Sequence, residues 1–222
     1  MNYLLHIDTA TEICTVAICC DGNLVAVKTN TEINTTASYI NTMISDVLQL
    51  GNIQFDALSA IVVCGGPGSY TGLRIGLATA KGICYALDIP LIMHGRLELL
   101  ALNAHKKYGN TFDNYITLLN ARIKEYFIFI YNSYTGNALE QKHIHEEVLT
   151  KSVKIEEKTY CVTNVDEKLL ISLNINTLEI DFDTKIDFNF WADFAYKQYK
   201  NNKFEIFSNL EPFYLKQVYT HK

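Results

Sequence analysis

The order of apolar and amphipathic segments in the N-terminal half of the chain predicts an α/β fold. Short apolar runs rich in β-branched residues are typical of buried strands, and such runs lie at 3–7, 13–20, 24–29, 61–64 and 91–93. Apolar positions spaced three and four residues apart predict helices, which cover 35–50, 71–87 and 97–107. The resulting order of elements predicts one mixed sheet flanked by helices.

The remainder of the chain has a weaker pattern. It predicts strands over 115–120 and 126–132 and a helix over 190–200, with short, polar and ambiguous signals between them. We therefore predict two domains, an N-terminal one over 1–104 and a smaller, more divergent one over 105–222.

A glycine-rich loop joins the strand at 61–64 to the helix that follows it. Glycines allow positive φ and close approach of backbone N–H groups, and a helix N-terminus favours an anion. The candidate residues for a phosphate cradle are Gly65, Gly66, Gly68 and Ser69. The alternative is a tight turn, which spacing alone favours, because the loop fits neither the dinucleotide fingerprint nor the lysine-bearing phosphate loop.

The bend after the first strand carries a carboxylate and two hydroxyl groups, on Asp8, Thr9 and Thr11. A carboxylate suits a hydrated Mg²⁺, and hydroxyl groups suit phosphate oxygens. The alternative is a polar turn in which Asp8 binds nearby N–H groups, and it is favoured when the bend is taken alone. The second domain shows no matching glycine-rich loop. We therefore expect any nucleotide site to be vestigial and ATP to bind weakly or not at all.

Two helices carry regular stripes that predict an association surface. The helix at 35–50 has an apolar stripe, and the helix at 71–87 has a stripe of small residues along which another backbone can approach closely. One sheet does not obviously bury every apolar face of these helices, so we predict a homodimer in isolation, which Gly76→Leu would block. The predicted interface residues are Ile40, Met43, Val47, Gly72, Arg74, Gly76, Thr79, Ala80 and Ile83. The alternative is that both stripes belong to an intramolecular core.

Composition narrows the functional classes. The 222 residues carry a formal net charge of −5, whereas a protein that binds nucleic acid strongly by itself is usually basic. No apolar run approaches a membrane-spanning length, the start of the chain lacks a basic leader, and the six cysteines lack disulfide or zinc spacing. We therefore expect a cytoplasmic protein.

Histidine spacing predicts neither a metal site nor a catalytic group. His94 has no second histidine four residues later, and His143 and His145 stand two apart in a polar stretch. A metalloprotease helix needs two histidines on one helical face. We therefore expect no stoichiometric zinc or iron and no metalloprotease helix in this chain.

Four segments resemble the signature of the TsaB (YeaZ) family. They are IDTAT at 7–11, GPGSYTGLRIG at 66–76, ATAKG at 78–82 and EPFYL at 211–215. The chain departs from the family pattern at 35–38, where members often have a histidine, and at Asn120, where an aspartate is common.

The resemblance implies two actin-like (ribonuclease H-like) domains, each a mixed sheet flanked by helices. It also implies a non-catalytic scaffold subunit required for N6-threonylcarbamoyladenosine formation at position 37 of tRNAs that read codons starting with A. The expected partners are a TsaD-like catalytic subunit, which replaces one copy of the homodimer, and a TsaE-like ATPase. ATP and metal are expected on these partners, and tRNA only through the complex. The alternatives are an ATP-dependent small-molecule kinase of the same superfamily and, less favoured, an M22-type glycoprotease.

Overall fold

The structure is a computed structural model that describes residues 1–152, 158–172, 178–206 and 209–213. The chain forms two compact units. Among the described residues, the first unit comprises 1–96 and 187–213, and the second lies within 97–186. The chain therefore leaves the first unit after Arg96 and returns to it at Asp187.

The first unit is built on a five-stranded mixed sheet. Its strands are β1 (Tyr3–Asp8), β2 (Cys14–Cys20), β3 (Asn23–Asn30), β4 (Leu58–Cys64) and β5 (Leu91–His94). They lie in the order β3-β2-β1-β4-β5, with β1 to β3 antiparallel and β4 and β5 parallel to β1. Since β1, β4 and β5 run in one direction, their carboxyl ends meet at one edge of the sheet.

Two helices, α1 (Thr36–Gly51) and α2 (Tyr70–Leu87), pack on one face of this sheet. Their buried stripes join the inward-facing residues of β1 in one apolar cluster, which includes Leu5, Ile7, Val47, Leu77 and Ala80. Burial of apolar side chains is the main favourable contribution to folding, so the stripe on each helix is the side that turns towards the sheet.

The opposite face of the sheet is covered by α6 (Phe188–Lys200). Because side chains alternate along a strand, His6 points away from the face that carries Leu5 and Ile7. The His6 ring meets the fully buried ring of Trp191 edge to face, with 5.0 Å between centroids. Asp187 caps the N-terminus of α6, and its side chain accepts a hydrogen bond from the Asn189 N–H at 2.8 Å.

The second unit contains another five-stranded mixed sheet. Its strands are β6 (Asn114–Arg122), β7 (Glu125–Asn132), β8 (Asn137–His145), β9 (Thr159–Thr163) and β10 (Leu178–Asp181). Their order is β10-β9-β6-β7-β8, with β6 to β8 antiparallel and β9 and β10 parallel to β6. The helices are α3 (Arg96–Tyr108), α4 (Glu146–Ser152) and α5 (Glu167–Ser172).

Apolar clusters cover both faces of the second sheet. One cluster joins α3 to Tyr115, Phe129 and Tyr160. The other joins Leu149 of α4 and Leu170 of α5 to strand residues on the opposite face. Among the helices in the described residues, none has the length and apolar character needed to cross a membrane.

The two sheets share one topology. In each, a three-stranded antiparallel meander is extended by two parallel strands beside its first strand. The predicted fold class, two actin-like domains each with a mixed sheet flanked by helices, is confirmed. The ambiguous stretch after 132 contains β8 to β10 and two short helices.

The two units divide the chain differently from the predicted boundary between residues 104 and 105. The segment 97–104 of α3 belongs to the second unit, because Leu97, Leu100 and Ala101 are buried in its core. The helix α6 lies within the predicted second domain but belongs to the first unit, where Trp191 packs on His6.

Candidate functional site

The bend after β1 and the glycine loop after β4 meet at the carboxyl edge of the first sheet. The Ser69 N–H donates a hydrogen bond to the Ala10 carbonyl oxygen at 2.7 Å. A Cβ atom on Gly68 would lie 2.0 Å from the same oxygen, so only glycine fits at this position. The two segments that the sequence singled out as candidate nucleotide contacts therefore form one junction.

Several N–H groups of the loop donate hydrogen bonds inside the chain. The Gly65 N–H donates to the His94 carbonyl oxygen at 2.8 Å, and the Gly72 N–H donates to Ser69 Oγ at 3.2 Å. A phosphate cradle needs such groups to point at the ligand. In this chain the three N–H groups of Gly65, Gly72 and Ser69 instead bind β5, the Ser69 hydroxyl that caps α2, and the bend, in that order. They therefore hold the loop in place.

Asp8 forms a buried ion pair in the junction. One carboxylate oxygen accepts from Arg96 Nη1 at 3.2 Å, and the other accepts from the Ala10 N–H at 3.0 Å. Each residue is 6% exposed, and the Arg96 N–H donates to the Gly66 carbonyl oxygen at 2.7 Å. Burial, followed by the Asp8 charge, raises the pKa of the neighbouring Cys64 thiol, which therefore stays protonated. Arg96 supplies the positive charge that a buried carboxylate requires.

Arg96 is a site residue that the sequence reasoning missed. It lies 88 positions from Asp8, so no local spacing connects the two. A usable signal was nevertheless present: Asp8 ends β1, Arg96 follows β5, and the carboxyl ends of parallel strands share an edge.

The two threonines of the bend make structural contacts. Thr11 Oγ1 donates to the Ile13 carbonyl oxygen at 3.1 Å, as in a local hydroxyl turn. Thr9 is fully buried against α2. A Cβ on Gly72 would lie 2.1 Å from the Thr9 carbonyl oxygen, and a Cβ on Gly76 would lie 2.2 Å from Thr9 Oγ1. The small-residue stripe of α2 therefore makes room for Thr9.

The predicted interface residues divide into a buried and an accessible group. The buried group comprises Ile40, Met43, Val47, Gly72, Gly76 and Ala80. The structure places these residues inside the first unit rather than on its surface, because α1 and α2 lie on the sheet along these stripes. The accessible group comprises Arg74, Thr79 and Ile83.

The outer face of α2 is formed by Arg74, Ala78, Gly82 and Tyr85, all of which are exposed. The Arg74 guanidinium stacks on the Tyr70 ring, 4.1 Å from its centroid. Tyr85 is 84% exposed, and a Cβ on Gly82 would have no neighbour within 4 Å. This face carries small residues four apart, as the buried stripe does, and offers another helix a close approach.

A groove of about 500 Å³ lies beside this face, between α1, the segment that follows it and α2. Its apolar lining comes from Ile44, Leu48, Ile53, Phe55 and Ile83. The remaining lining residues are polar and uncharged. A concave, mostly uncharged surface of this kind suits the burial of apolar side chains.

The buried histidines serve the fold of the first unit. His94 Nδ1 accepts a hydrogen bond from Trp191 Nε1–H at 3.0 Å, and burial lowers the pKa of His94 to about 3. In the second unit, His143 Nε2 lies 3.1 Å from Glu125 Oε2 on the adjacent strand. Over the described ranges, no group of three or more histidine, cysteine, aspartate or glutamate side chains is placed to hold a metal ion.

A protein-family model described as TsaD, tRNA N6-adenosine threonylcarbamoyltransferase, matches residues 34–196. The chain belongs to this family. A curated relative, the tRNA threonylcarbamoyladenosine biosynthesis protein TsaB of Escherichia coli (strain K12), is 32% identical over 126 residues, which are 56% of this chain and 52% of the relative. A tRNA N6-adenosine threonylcarbamoyltransferase of Clostridium perfringens (strain SM101 / Type A) is 41% identical over 59 residues, which are 27% of this chain and 17% of that protein. The chain thus spans about half the length of its TsaB relative and less of the transferase.

A solved structure from Pseudomonas aeruginosa supports the same fold. It is described as an uncharacterized protein with similarity to peptidase YEAZ, and it aligns with a TM-score of 0.76 and 20% identity over 97% of this chain and 100% of that chain. The resemblance to the TsaB (YeaZ) family is therefore confirmed, within the wider family whose model bears the TsaD name.

Proposed function

We propose that this chain is a non-catalytic scaffold subunit required for N6-threonylcarbamoyladenosine formation in tRNA, acting through a TsaD-like catalytic partner. The observation that carries the proposal is the family membership, with TsaB of Escherichia coli as a relative named for this pathway. The proposal includes the position that is modified. It is the adenosine directly after the anticodon, in tRNAs that read codons starting with A.

The junction supports a role without catalysis of its own. Both oxygens of the Asp8 carboxylate accept hydrogen bonds within the chain, one of them from a buried arginine. Three loop N–H groups are likewise engaged internally. A nucleotide-dependent kinase of this fold needs such a carboxylate and such N–H groups for Mg²⁺ and phosphate. The same contacts therefore argue against the kinase alternative.

The outer face of α2 and the adjacent groove are the proposed docking surface. Of the interface residues predicted from the sequence, Arg74, Thr79 and Ile83 remain accessible there. The exposed side chain of Tyr85, on the outer face of α2, adds apolar area to this surface. An accessible apolar area next to an uncharged groove is a common feature of protein interfaces.

A TsaD-like chain is the proposed occupant of this surface because it belongs to the same family as this chain. A two-fold homodimer uses the same patch on both copies, so a partner with related helices can replace one copy. We therefore propose a homodimer in isolation and a heterodimer with the TsaD-like chain. A TsaE-like ATPase would join this complex. Because this chain carries a formal net charge of −5, tRNA would bind through the complex.

The proposed compartment is the cytoplasm. All six cysteines lie within the described residues, and each is a free thiol. Buried thiols without disulfide partners suit a reducing compartment.

The substitution Tyr85→Glu tests the docking surface. It places a charge at an exposed position on the outer face of α2, so the first unit should keep its stability. We expect the affinity for the TsaD-like partner, measured by calorimetry, to fall by roughly tenfold or more, as at an interface hot spot. In cells depleted of the protein, N6-threonylcarbamoyladenosine in tRNA should be restored by the wild type and not by Tyr85→Glu.

The matched control is Ile123→Glu, which introduces the same charge at a side chain that is 93% exposed in the second unit. This variant should bind the partner and restore the nucleoside like the wild type. If Tyr85→Glu also binds with wild-type affinity, the outer face of α2 is not the docking surface. If depletion of the protein leaves the nucleoside unchanged, the proposed function is wrong.

A further inference from the structure

The segment 209–213, called the strap here, connects two parts of the first unit that are distant in sequence. Its Phe213 N–H donates a hydrogen bond to the Gly65 carbonyl oxygen in the glycine loop, at 2.8 Å. Its Leu210 carbonyl oxygen accepts a hydrogen bond from Lys81 Nζ on α2, at 2.6 Å. Just before it, the Glu205 N–H donates to the Leu91 carbonyl oxygen at the edge of β5.

Met93 of β5 and Phe213 of the strap together fill the space beside Gly65. A Cβ at this position would lie 2.9 Å from the Phe213 ring and 2.7 Å from the Met93 side chain. The φ angle of Gly65 is not in the left-handed region, so backbone conformation does not require glycine. The missing side chain thus leaves room for the strap and for β5. The sequence had instead suggested that this space would hold an anion.

The strap is a short segment at the margin of the apolar cluster of the first unit. Pro212 is buried, and Leu210 and Phe213 are half-buried against that cluster. Within the described residues, one hydrogen bond joins the strap to the glycine loop and one joins it to α2. Segments with little buried apolar surface open locally at a free energy below that of global unfolding. The strap can therefore detach while the sheet of the first unit stays folded.

We infer that the strap is a detachable clamp that fixes the position of α2 relative to the glycine loop. Lys81 lies on the same helix as Arg74, Ala78 and Tyr85. Release of the strap therefore loosens the helix that carries the outer face. The consequence for partner binding rests on the proposed function, whereas the clamping of α2 does not.

The variants Lys81→Met and Phe213→Ala, made in the 222-residue chain, test the clamp by hydrogen–deuterium exchange. Lys81→Met removes one hydrogen bond and keeps the apolar stem, so amides in 65–82 should exchange roughly two- to tenfold faster. Phe213→Ala should increase their exchange further, and Phe213→Leu should restore part of the protection. The control is Lys197→Met, which removes an exposed α6 cation paired with Asp193 and should leave 65–82 unchanged.

Two outcomes would overturn the inference. One is unchanged exchange in 65–82 for both Lys81→Met and Phe213→Ala. The other is an equal increase in β1 and α1, which would make the strap an ordinary part of the core. If Phe213→Ala fails to fold, Lys81→Met alone decides between these results.

Binding of the TsaD-like partner by the wild type tests the proposed function separately. If the wild type binds, Lys81→Met should bind the partner more weakly. If a variant whose amides in 65–82 exchange faster still binds with wild-type affinity, the strap does not influence docking. If the wild type does not bind, the proposed function fails, and the exchange measurement still decides whether the strap clamps α2.

Discussion

Replacing Gly72 by alanine tests whether α2 rests directly on the bend after β1. The new Cβ would lie 2.1 Å from the Thr9 carbonyl oxygen. Either the helix or the bend must move by roughly 1 Å or more to restore an ordinary contact. The bend has little freedom, because Ala10 donates to Asp8 and accepts from Ser69.

The expected cost follows from two opposing contributions. Overpacking in a filled core costs about 1–3 kcal/mol, and alanine in place of glycine recovers at most about 1 kcal/mol of helix propensity. We expect Gly72→Ala to lower the free energy of unfolding of the first unit by about 1–2 kcal/mol. Gly82→Ala on the same helix gains the same propensity without a clash, because no atom lies within 4 Å of its Cβ. It should raise the free energy of unfolding by up to about 1 kcal/mol.

Urea unfolding followed by the fluorescence of Trp191 measures both effects. This residue is the one tryptophan of the sequence and is fully buried in the first unit, so its emission reports that unit. A loss of about 1–2 kcal/mol should move the midpoint down by up to roughly 1 M urea. The reasoning would be refuted if Gly72→Ala unfolded at the same urea concentration as Gly82→Ala.

Three further predictions concern the groups buried around the same junction. Burial lowers the pKa of His6 to about 4, so below pH 6.5 the unfolded chain binds a proton that the folded unit does not. The contribution of His6 to stability should therefore fall as the pH drops from 6.5 towards 4, by about 2 kcal/mol at pH 5. His94, whose pKa burial lowers to about 3, should add a loss of similar size, and an unchanged urea midpoint between pH 7 and pH 5 would contradict this. Arg96→Met leaves the Asp8 carboxylate buried without a cation and should lower the free energy of unfolding, measured with urea, by about 3–5 kcal/mol. Adding Asp8→Asn should recover part of this lost stability. A wild-type urea midpoint for Arg96→Met would exclude the ion pair as a stabilising contact. Calorimetry of the isolated chain with Mg-ATP should detect no micromolar binding, because the carboxylate oxygens and loop N–H groups are engaged internally, and micromolar affinity would show that the junction opens.

The regular elements of the first unit could be predicted because their signals are local. The apolar stripe of α1 and the β-branched run of β4 each lie in one stretch of sequence, and both elements form close to the predicted bounds. The second sheet was harder to predict. Strand β8 is mostly exposed and polar, so neither alternation nor a continuous apolar run identifies it.

The ion pair of the junction could not be predicted from local patterns. Asp8 is a plausible Mg²⁺ ligand in the sequence, and only its distance from Arg96 in the fold shows that its charge is already compensated. Glycines raise the same difficulty. The absence of a Cβ at position 68 is visible in the sequence, but the sequence does not identify the Ala10 carbonyl oxygen as the group that fills the space.

The two stripes of α2 show why a sequence pattern can indicate a close helix contact without indicating the partner. Residues two apart on a helix point about 200° apart, so the row that contains Gly76 and the row that contains Ala78 lie on nearly opposite sides. The first row is filled by Thr9 of the same chain, and the second row faces outwards. Burial of the first row therefore removes it from any surface contact and leaves the second as the only small-residue row of α2 on which another helix could pack closely. We therefore still predict that α2 is the docking helix, but with the contact on the side opposite to the one that the sequence indicated.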